Sequence, residues 1–228
     1  MDDERTREPQ YQALLDLRAR LGPQRLGLMS GQTWHDDPKR LLFVLARYKF
    51  VAKMLSGCER VLEVGCADAF GTRLVQQEVG AVTAIDFDPV FARDAADRAD
   101  PNWPLEYLVH DLLDGPVPGA FDAAYALDVI EHISAADEDR FVGNMVASLG
   151  AHGVLLLGTP SLQSQAYASE QSRLGHVNCK DGPGLRALLA RWCHNVFVFS
   201  MNDEVVHTGF QPMAHYLLGL GCGPRGAA

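Results

Sequence analysis

Arg60-Val61-Leu62-Glu63-Val64-Gly65-Cys66-Ala67-Asp68-Ala69-Phe70-Gly71-Thr72 is the stretch from which the rest of the chain can be read. Its apolar run, broken only by Glu63, halts at a glycine, and a helical pattern starts near Gly71-Thr72. A short apolar run closed by a turn signal reads as a buried strand, and the strand–turn–helix step that follows opens a βα unit. Further along, runs at 81–86, 105–109, 121–127, 153–157 and 195–200 read as strands. Helical patterns fall between them, from Asp88-Pro89 towards Asp100, over 136–149 and over 181–192. Regular strand–helix alternation predicts a doubly wound, mostly parallel sheet covered by helices on both faces.

Upstream, Leu14, Leu15, Leu17 and Leu21 give residues 11–21 a helical stripe. A glycine-containing loop is expected over 27–35, which includes Trp34 and His35. A second helix then begins with Asp37 as N-cap and Pro38 at its first position. Its stripe runs through Leu41, Val44, Leu45, Tyr48, Val51, Ala52 and Leu55 and ends near Gly57. Residues 1–10 are polar and are expected to fray, and the glycine-rich 219–228 to form a mobile tail.

Composition narrows the classes. The 228 residues are 47% hydrophobic and 21% charged, the balance of a globular domain with a full core. The longest apolar runs, 41–46 and 154–157, are far short of the ~20 residues that span a bilayer. The first residues carry no basic-then-apolar leader. A net charge of −9 argues against a basic nucleic-acid-binding face. Five cysteines without a C-x-x-C pair speak against a disulfide framework or a structural zinc, so a reducing cytoplasm is expected.

In an open α/β sheet, ligands sit beyond the carboxyl ends of the strands. Gly65 permits a tight turn off the first strand. Asp86, twenty-one residues on, closes the next strand, where an acid can accept both hydroxyls of a ribose. A dinucleotide site would want glycines where this chain has Ala67 and Phe70, and Asp68 would repel a pyrophosphate. That argues against a nicotinamide dehydrogenase. Acids instead collect at strand ends: Glu63, Asp68, Asp86, Asp111 and Asp128. Such a set suits a cationic, phosphate-free nucleoside, and S-adenosylmethionine has that chemistry.

Four segments, in order, carry a family likeness. Residues 61–72 resemble the first motif of the class I S-adenosylmethionine-dependent methyltransferases. Ala84-Ile85-Asp86-Phe87-Asp88-Pro89 resembles their ribose-binding strand end, and His110-Asp111-Leu112 their adenine segment. Residues 121–133, ending Leu127-Asp128-Val129-Ile130-Glu131-His132-Ile133, are similar to the fourth-strand motif of the methyltransferase 11/12-like small-molecule group. The likeness covers roughly 58–200. It departs from the family at Ala67 and Ala69, where glycine is usual.

The resemblance implies a Rossmann-like, seven-stranded sheet in a domain over 58–218, preceded by a helical lid over 1–57. It implies that Glu63 orders the turn or holds the cofactor's ammonium through water, and that Gly65 and Ala67 pass close to the methionine moiety. Asp86 would bind ribose, Phe87 would lie beside adenine, and Asp111 with the Leu112 backbone would receive the adenine. The Leu127 carbonyl would meet the ammonium. Tyr48 would reach the methionine carboxylate, with Arg47 or Lys49 as substitutes. Bland readings stand beside these: Asp86 as a turn cap, Glu63 as a buried hydrogen-bonding acid, Asp111 as a helix cap, Phe87 as core, Arg47 or Lys49 as a solvated face.

For the acceptor, an oxygen nucleophile needs its proton removed. If 128–132 form a helical turn, Asp128 and His132 share one face, and the carboxylate would make His132 a base; otherwise Glu131-His132 only orders the loop. His176, in a glycine-flanked loop, is the rival. Trp34 and His35 would meet the acceptor from the lid, or Trp34 would merely anchor the N-terminal helix. The leading expectation is O-methylation of a small molecule such as a sugar, sugar nucleotide or secondary metabolite. No metal site is assigned, although Asp128, His132 and His176 could supply ligands to a divalent ion that orients the acceptor; no nucleic-acid or membrane partner is expected, and the protein would be a monomer or homodimer. N-methylation, a tRNA methyltransferase and a non-catalytic cofactor-binding module are the alternatives.

Overall fold

The computed structural model describes residues 5–225. Residues 1–4 and 226–228, which belong to the expected frayed start and mobile tail, lie outside the described residues. Three helices come first: α1 (Gln12–Leu21), α2 (Leu28–Asp36) and α3 (Pro38–Met54). The sheet strands are β1 (Arg60–Val64), β2 (Ala81–Asp86), β3 (Glu106–Val109), β4 (Phe121–Leu127), β5 (Leu149–Pro160), β6 (Cys193–Asn202), β7 (Val205–His207) and β8 (Tyr216–Pro224). Between them run α4 (Thr72–Gln76), α5 (Pro89–Asp97), α6 (Glu138–Ala147), α7 (Glu170–Gly175) and α8 (Gly182–Trp192). The sheet order is β3-β2-β1-β4-β5-β8-β6-β7. β3 to β5 pair in parallel, and β8, β6 and β7 close the other side antiparallel. The sheet is thus mixed α/β and mostly parallel in its first half, with eight strands rather than seven.

Two expectations give way here. The 27–35 loop is α2: Gly27 is its N-cap and a helix runs through Trp34 and His35. Residues 219–224, expected to open a mobile tail, form most of β8 and lie between β5 and β6. The glycines that made this stretch look like a tail let other elements come close. A Cβ added at Gly219 would stand 2.5 Å from Leu189 Cδ1, so α8 can press on β8 only at a residue without a side chain. Asp37 does precede α3, but its side chain makes no capping hydrogen bond.

Strand parity decides what each face meets, because successive side chains point to opposite sides. Leu62 and Val64 of β1 join Phe141, Val142 and Met145 of α6 and Leu185 and Leu189 of α8. Val61 joins Val51 and Ala52 of α3, Leu55 just beyond its end, Val75 of α4, and Tyr216 and Leu218 of β8. Glu63 shares Val61's parity, so it enters the α3/α4 layer. It is 2% exposed there. The Tyr48 hydroxyl donates to its Oε1 at 2.8 Å and the Thr72 hydroxyl to its Oε2 at 2.6 Å. One carboxyl therefore fastens the start of α4 and the middle of α3 to β1. Burial pushes the Glu63 pKa up to about 7.

Two consequences can be measured. Leu218 is fully buried, so Leu218→Ala should cost about 2–5 kcal/mol of unfolding free energy in a urea titration. A loss of a few tenths would place 219–224 back in a tail. For Glu63 the folded pKa lies above the ordinary value of 4.5, so the folded chain holds a proton the unfolded chain has lost. Its contribution is greatest at low pH and declines as pH rises between those two values. Stability should fall on the order of 2–3 kcal/mol across this window. Glu63→Gln should flatten that slope, and equal slopes in the two proteins would remove the assignment.

Candidate active site

β1 and β4 are parallel neighbours, with Val64 beside Ala126, and their carboxyl ends open side by side. Gly65 leaves β1 with φ 70°, and a Cβ there would meet Val129 Cγ2 at 2.4 Å. Only glycine lets the two exits pass. The turn then holds Ala67 at φ 46° and Ala69 at φ 52°. Both alanines thus adopt the left-handed backbone that glycine takes without strain. These are the two positions at which the sequence departs from the methyltransferase motif that it resembles, and both hold left-handed backbone despite their methyl groups.

The turn is tied to the end of β2. Ala67 N donates to Asp86 Oδ2 at 2.9 Å, Asp88 N donates to Asp86 Oδ1 at 3.0 Å, and the Tyr107 hydroxyl donates to the Ala67 carbonyl at 2.9 Å. The buried Asp86 carboxylate is thereby aimed before any ligand arrives, and each oxygen retains a lone pair for a ribose hydroxyl. Phe87 beside it is 71% exposed, which excludes the core reading and leaves its ring open to an adenine. Asp111 is exposed, and its Oδ1 accepts from Leu113 N at 2.9 Å while Leu112 is buried. Leu127 ends β4 with its side chain in the core. An aimed acid, an open aromatic and a second exposed acid at adjoining strand ends suit an adenosyl group.

Tyr48 does not take its expected place. Its hydroxyl is committed to Glu63. Tyr48 and Glu63 therefore lie beneath the turn and shape it from below. A cavity of about 400 Å³ lies on the flank, lined by residues 21–26 and 97–101 and not by Asp86 or Asp111.

β4 exits through Asp128, which is left-handed at φ 57°. Residues 128–132 do not form one helical turn; a 3-10 turn covers only Ile130–His132. Asp128 consequently does not support His132. Its oxygens accept from Arg47 Nη1 at 2.8 and 2.6 Å. The Arg47 side chain is 13% exposed, with its guanidinium 3.8 Å above the centre of the Tyr216 ring. The solvated-face reading of Arg47 is thus overturned: α3, β4 and β8 meet on this cation.

His132 takes its orientation from elsewhere. Its Nδ1 lies 2.9 Å from the Gly175 carbonyl, which only accepts, so Nδ1 carries the proton and Nε2 keeps its lone pair. His176 repeats the arrangement with Nδ1 2.9 Å from Gln165 Oε1. The Gln165 amide nitrogen donates to the Ser161 carbonyl, which turns Oε1 towards the ring. The two imidazoles stand edge to face with centroids 5.2 Å apart. Burial and the neighbouring His132 lower the His176 pKa. The rivals are therefore a pair.

Beside them Glu131, read earlier only as a companion of His132, is fully buried. Its Oε2 accepts from the Thr159 hydroxyl at 3.1 Å, and its backbone carbonyl accepts from Val177 N and Asn178 N. Burial, and then Asp128, push its pKa up to about 8. The supports Thr159, Gln165 and Gly175 left no trace in the sequence pattern, since they act through a hydroxyl, an amide and a carbonyl brought in from β5, the 3-10 turn Gln163–Tyr167 and α7.

The N-terminal segment is fastened to the turn. Asp68 accepts from Ser30 N at 2.7 Å and Asp94 accepts from Leu28 N at 3.3 Å, so two carboxylates hold the amino end of α2. Trp34, at the other end, is 57% exposed, and His35 faces solvent and pairs with Asp36 at 2.8 Å.

Residues 61–153 match the methyltransferase domain model. An uncharacterized methyltransferase of Mycobacterium bovis is 31% identical over 110 residues, covering 47% of this chain and 55% of the relative. A probable S-adenosylmethionine-dependent methyltransferase of Mycobacterium tuberculosis is 31% identical over 103 residues, covering 44% of this chain and 35% of that protein. The chain thus spans about half, or less, of the length of the relatives it matches. Among solved structures, N-methyltransferase NodS from Bradyrhizobium japonicum WM9 in complex with S-adenosyl-L-homocysteine superposes with a TM-score of 0.64 at 18% identity, covering 92% of this chain and 98% of NodS. The match to a methyltransferase domain covers β1 to β4 and the start of β5, and the fold of the chain is similar to that of NodS.

Proposed function

We propose that the protein transfers the sulfonium methyl of S-adenosylmethionine to a small-molecule hydroxyl, such as that of a sugar, sugar nucleotide or secondary metabolite. The observation that carries this reading is the pair of imidazoles at the β4 exit, His132 and His176. Each presents a free Nε2 and is held by an Nδ1 hydrogen bond. Asp86 would grip the ribose, Phe87 and Asp111 would border the adenine, and Gly65 and Ala67 would line the methionine end. An acceptor placed between that end and His132 would lose its proton to His132 Nε2 as its oxygen attacks the methyl in line. Asp128 would act by holding Arg47, and the segment before residue 58, pinned at Asp68, would serve as the lid. NodS, a fold relative, is an N-methyltransferase; an amine acceptor is the second reading, and it needs no proton acceptor of this kind.

The net charge of −9 speaks against a nucleic-acid acceptor. All five cysteines are free, which suits the proposed reducing cytoplasm. No helix among the described residues is long and apolar enough to cross a membrane.

Calorimetry with S-adenosylhomocysteine and a methyl-release assay test the reading together. Asp86→Ala should weaken S-adenosylhomocysteine binding by on the order of 1–3 kcal/mol through lost charge-assisted hydrogen bonds. His132→Ala should cut turnover by about 100-fold or more while leaving that affinity within a few-fold. Loss of affinity without loss of turnover in His132→Ala would reject the catalytic role, and no binding by the unaltered protein would favour the non-catalytic module.

A further inference from the structure

We propose that Glu131, His132 and His176 form a binding site for one divalent transition-metal ion at the acceptor mouth. One carboxylate oxygen of Glu131 and one ring nitrogen of each histidine lie within 4.8 Å of one another. Donors around such an ion stand about 3–3.5 Å apart, so side-chain rotations of roughly an ångström would close the set.

Three independent features point to a cation. First, Glu131 Oε1 is buried and has no hydrogen-bond partner among the described residues. A buried carboxylate oxygen without a partner is costly, and a cation would satisfy it. Second, both imidazoles are already set as metal ligands usually are. Each donates its Nδ1 proton to a carbonyl-type oxygen, Gly175 O or Gln165 Oε1, and keeps Nε2 free. Third, no basic side chain among the described residues competes for the Glu131 carboxyl. Arg47 is taken up by Asp128 in a two-bond pair, so Glu131 has no cation of its own at hydrogen-bond distance among the described residues. Two nitrogens and one oxygen favour an ion of the manganese-to-zinc series over magnesium or calcium, which prefer oxygen alone. Glu131 closes the inner side of the site while His132 is exposed, so open coordination positions face the solvent side.

This inference rests on the reading of the mouth as the acceptor site and changes what activates the hydroxyl there. With the ion bound, both imidazoles are ligands. The acceptor oxygen would bind at an open position and release its proton to bulk water. The new O–C bond would then form as the S–C bond breaks, leaving neutral S-adenosylhomocysteine.

The full chain, stripped with EDTA and dialysed, is titrated with Co²⁺ while the visible absorption is followed, and Zn²⁺ and Mn²⁺ are added as competitors. Uptake of one equivalent with new visible bands is expected, displaced by Zn²⁺. Glu131→Gln and His176→Ala should each weaken it by at least ~10-fold, while His35→Ala, on the solvent-facing side of α2, should leave it unchanged. Thermal unfolding of each variant confirms that it is folded, and His132→Asn takes the place of any that is not. No saturable uptake, or uptake equal in all variants, overturns the inference. S-adenosylhomocysteine calorimetry on the same samples separates the two readings. Cofactor binding without Co²⁺ uptake rejects the metal site and leaves the methyltransferase standing; Co²⁺ uptake without cofactor binding does the reverse.

Discussion

Between β1 and β4 the order of the sheet reverses direction, and both strands leave it through left-handed backbone. Gly65 has φ 70° and Asp128 has φ 57°, on strands paired side by side. That switch point forces the two connections apart and opens a crevice above the sheet. Asp86 is held against the β1 exit, and Asp128, Glu131 and His132 lie along the β4 exit. The close approach of Val129 to Gly65 shows how little room the arrangement leaves: one added methyl on the β1 side would collide with the β4 side.

Buried charge keeps the exits in place. Beneath the β1 turn, Glu63 gathers Tyr48 and Thr72, and its raised pKa shows that burial outweighs the hydrogen bonds favouring the anion. At the β4 exit, Arg47 pairs with Asp128 and lies over Tyr216, drawing three elements together. Removing one partner of such a pair strands the other in a low-dielectric interior, so these groups act as locks on geometry more than as sources of net stability. Above them, Asp86 is pre-aimed by two backbone N–H groups. Binding therefore need not spend energy ordering the acid, which is the physical meaning of a preformed site.

The parallel half of the fold was legible because local pattern and tertiary role agree there. β1, β2 and β4 coincide with their apolar runs, and Asp88 caps α5 through Val90 N as its Asp-Pro start suggests. Legibility failed where the cause was distant. Gly219 lies in a strand because Leu189 needs its space, and Trp34 lies in a helix whose amino end is held by Asp68 and Asp94. Spacing suggested Asp128 as the partner of His132, but a left-handed residue at the strand end turned that carboxylate towards Arg47 instead.

By itself, the sequence determined that strands and helices alternate and that Asp86 closes the second strand. Each of these depends on period and local turn chemistry, which a few neighbouring residues specify. Tertiary structure alone decided which side chains face one another across the mouth: His132 with His176, Arg47 with Asp128, and Glu131 left with an unpaired oxygen. Those pairings join residues up to eighty-one positions apart, and they depend on strand parity and backbone handedness summed over the whole sheet, which no short window of sequence contains.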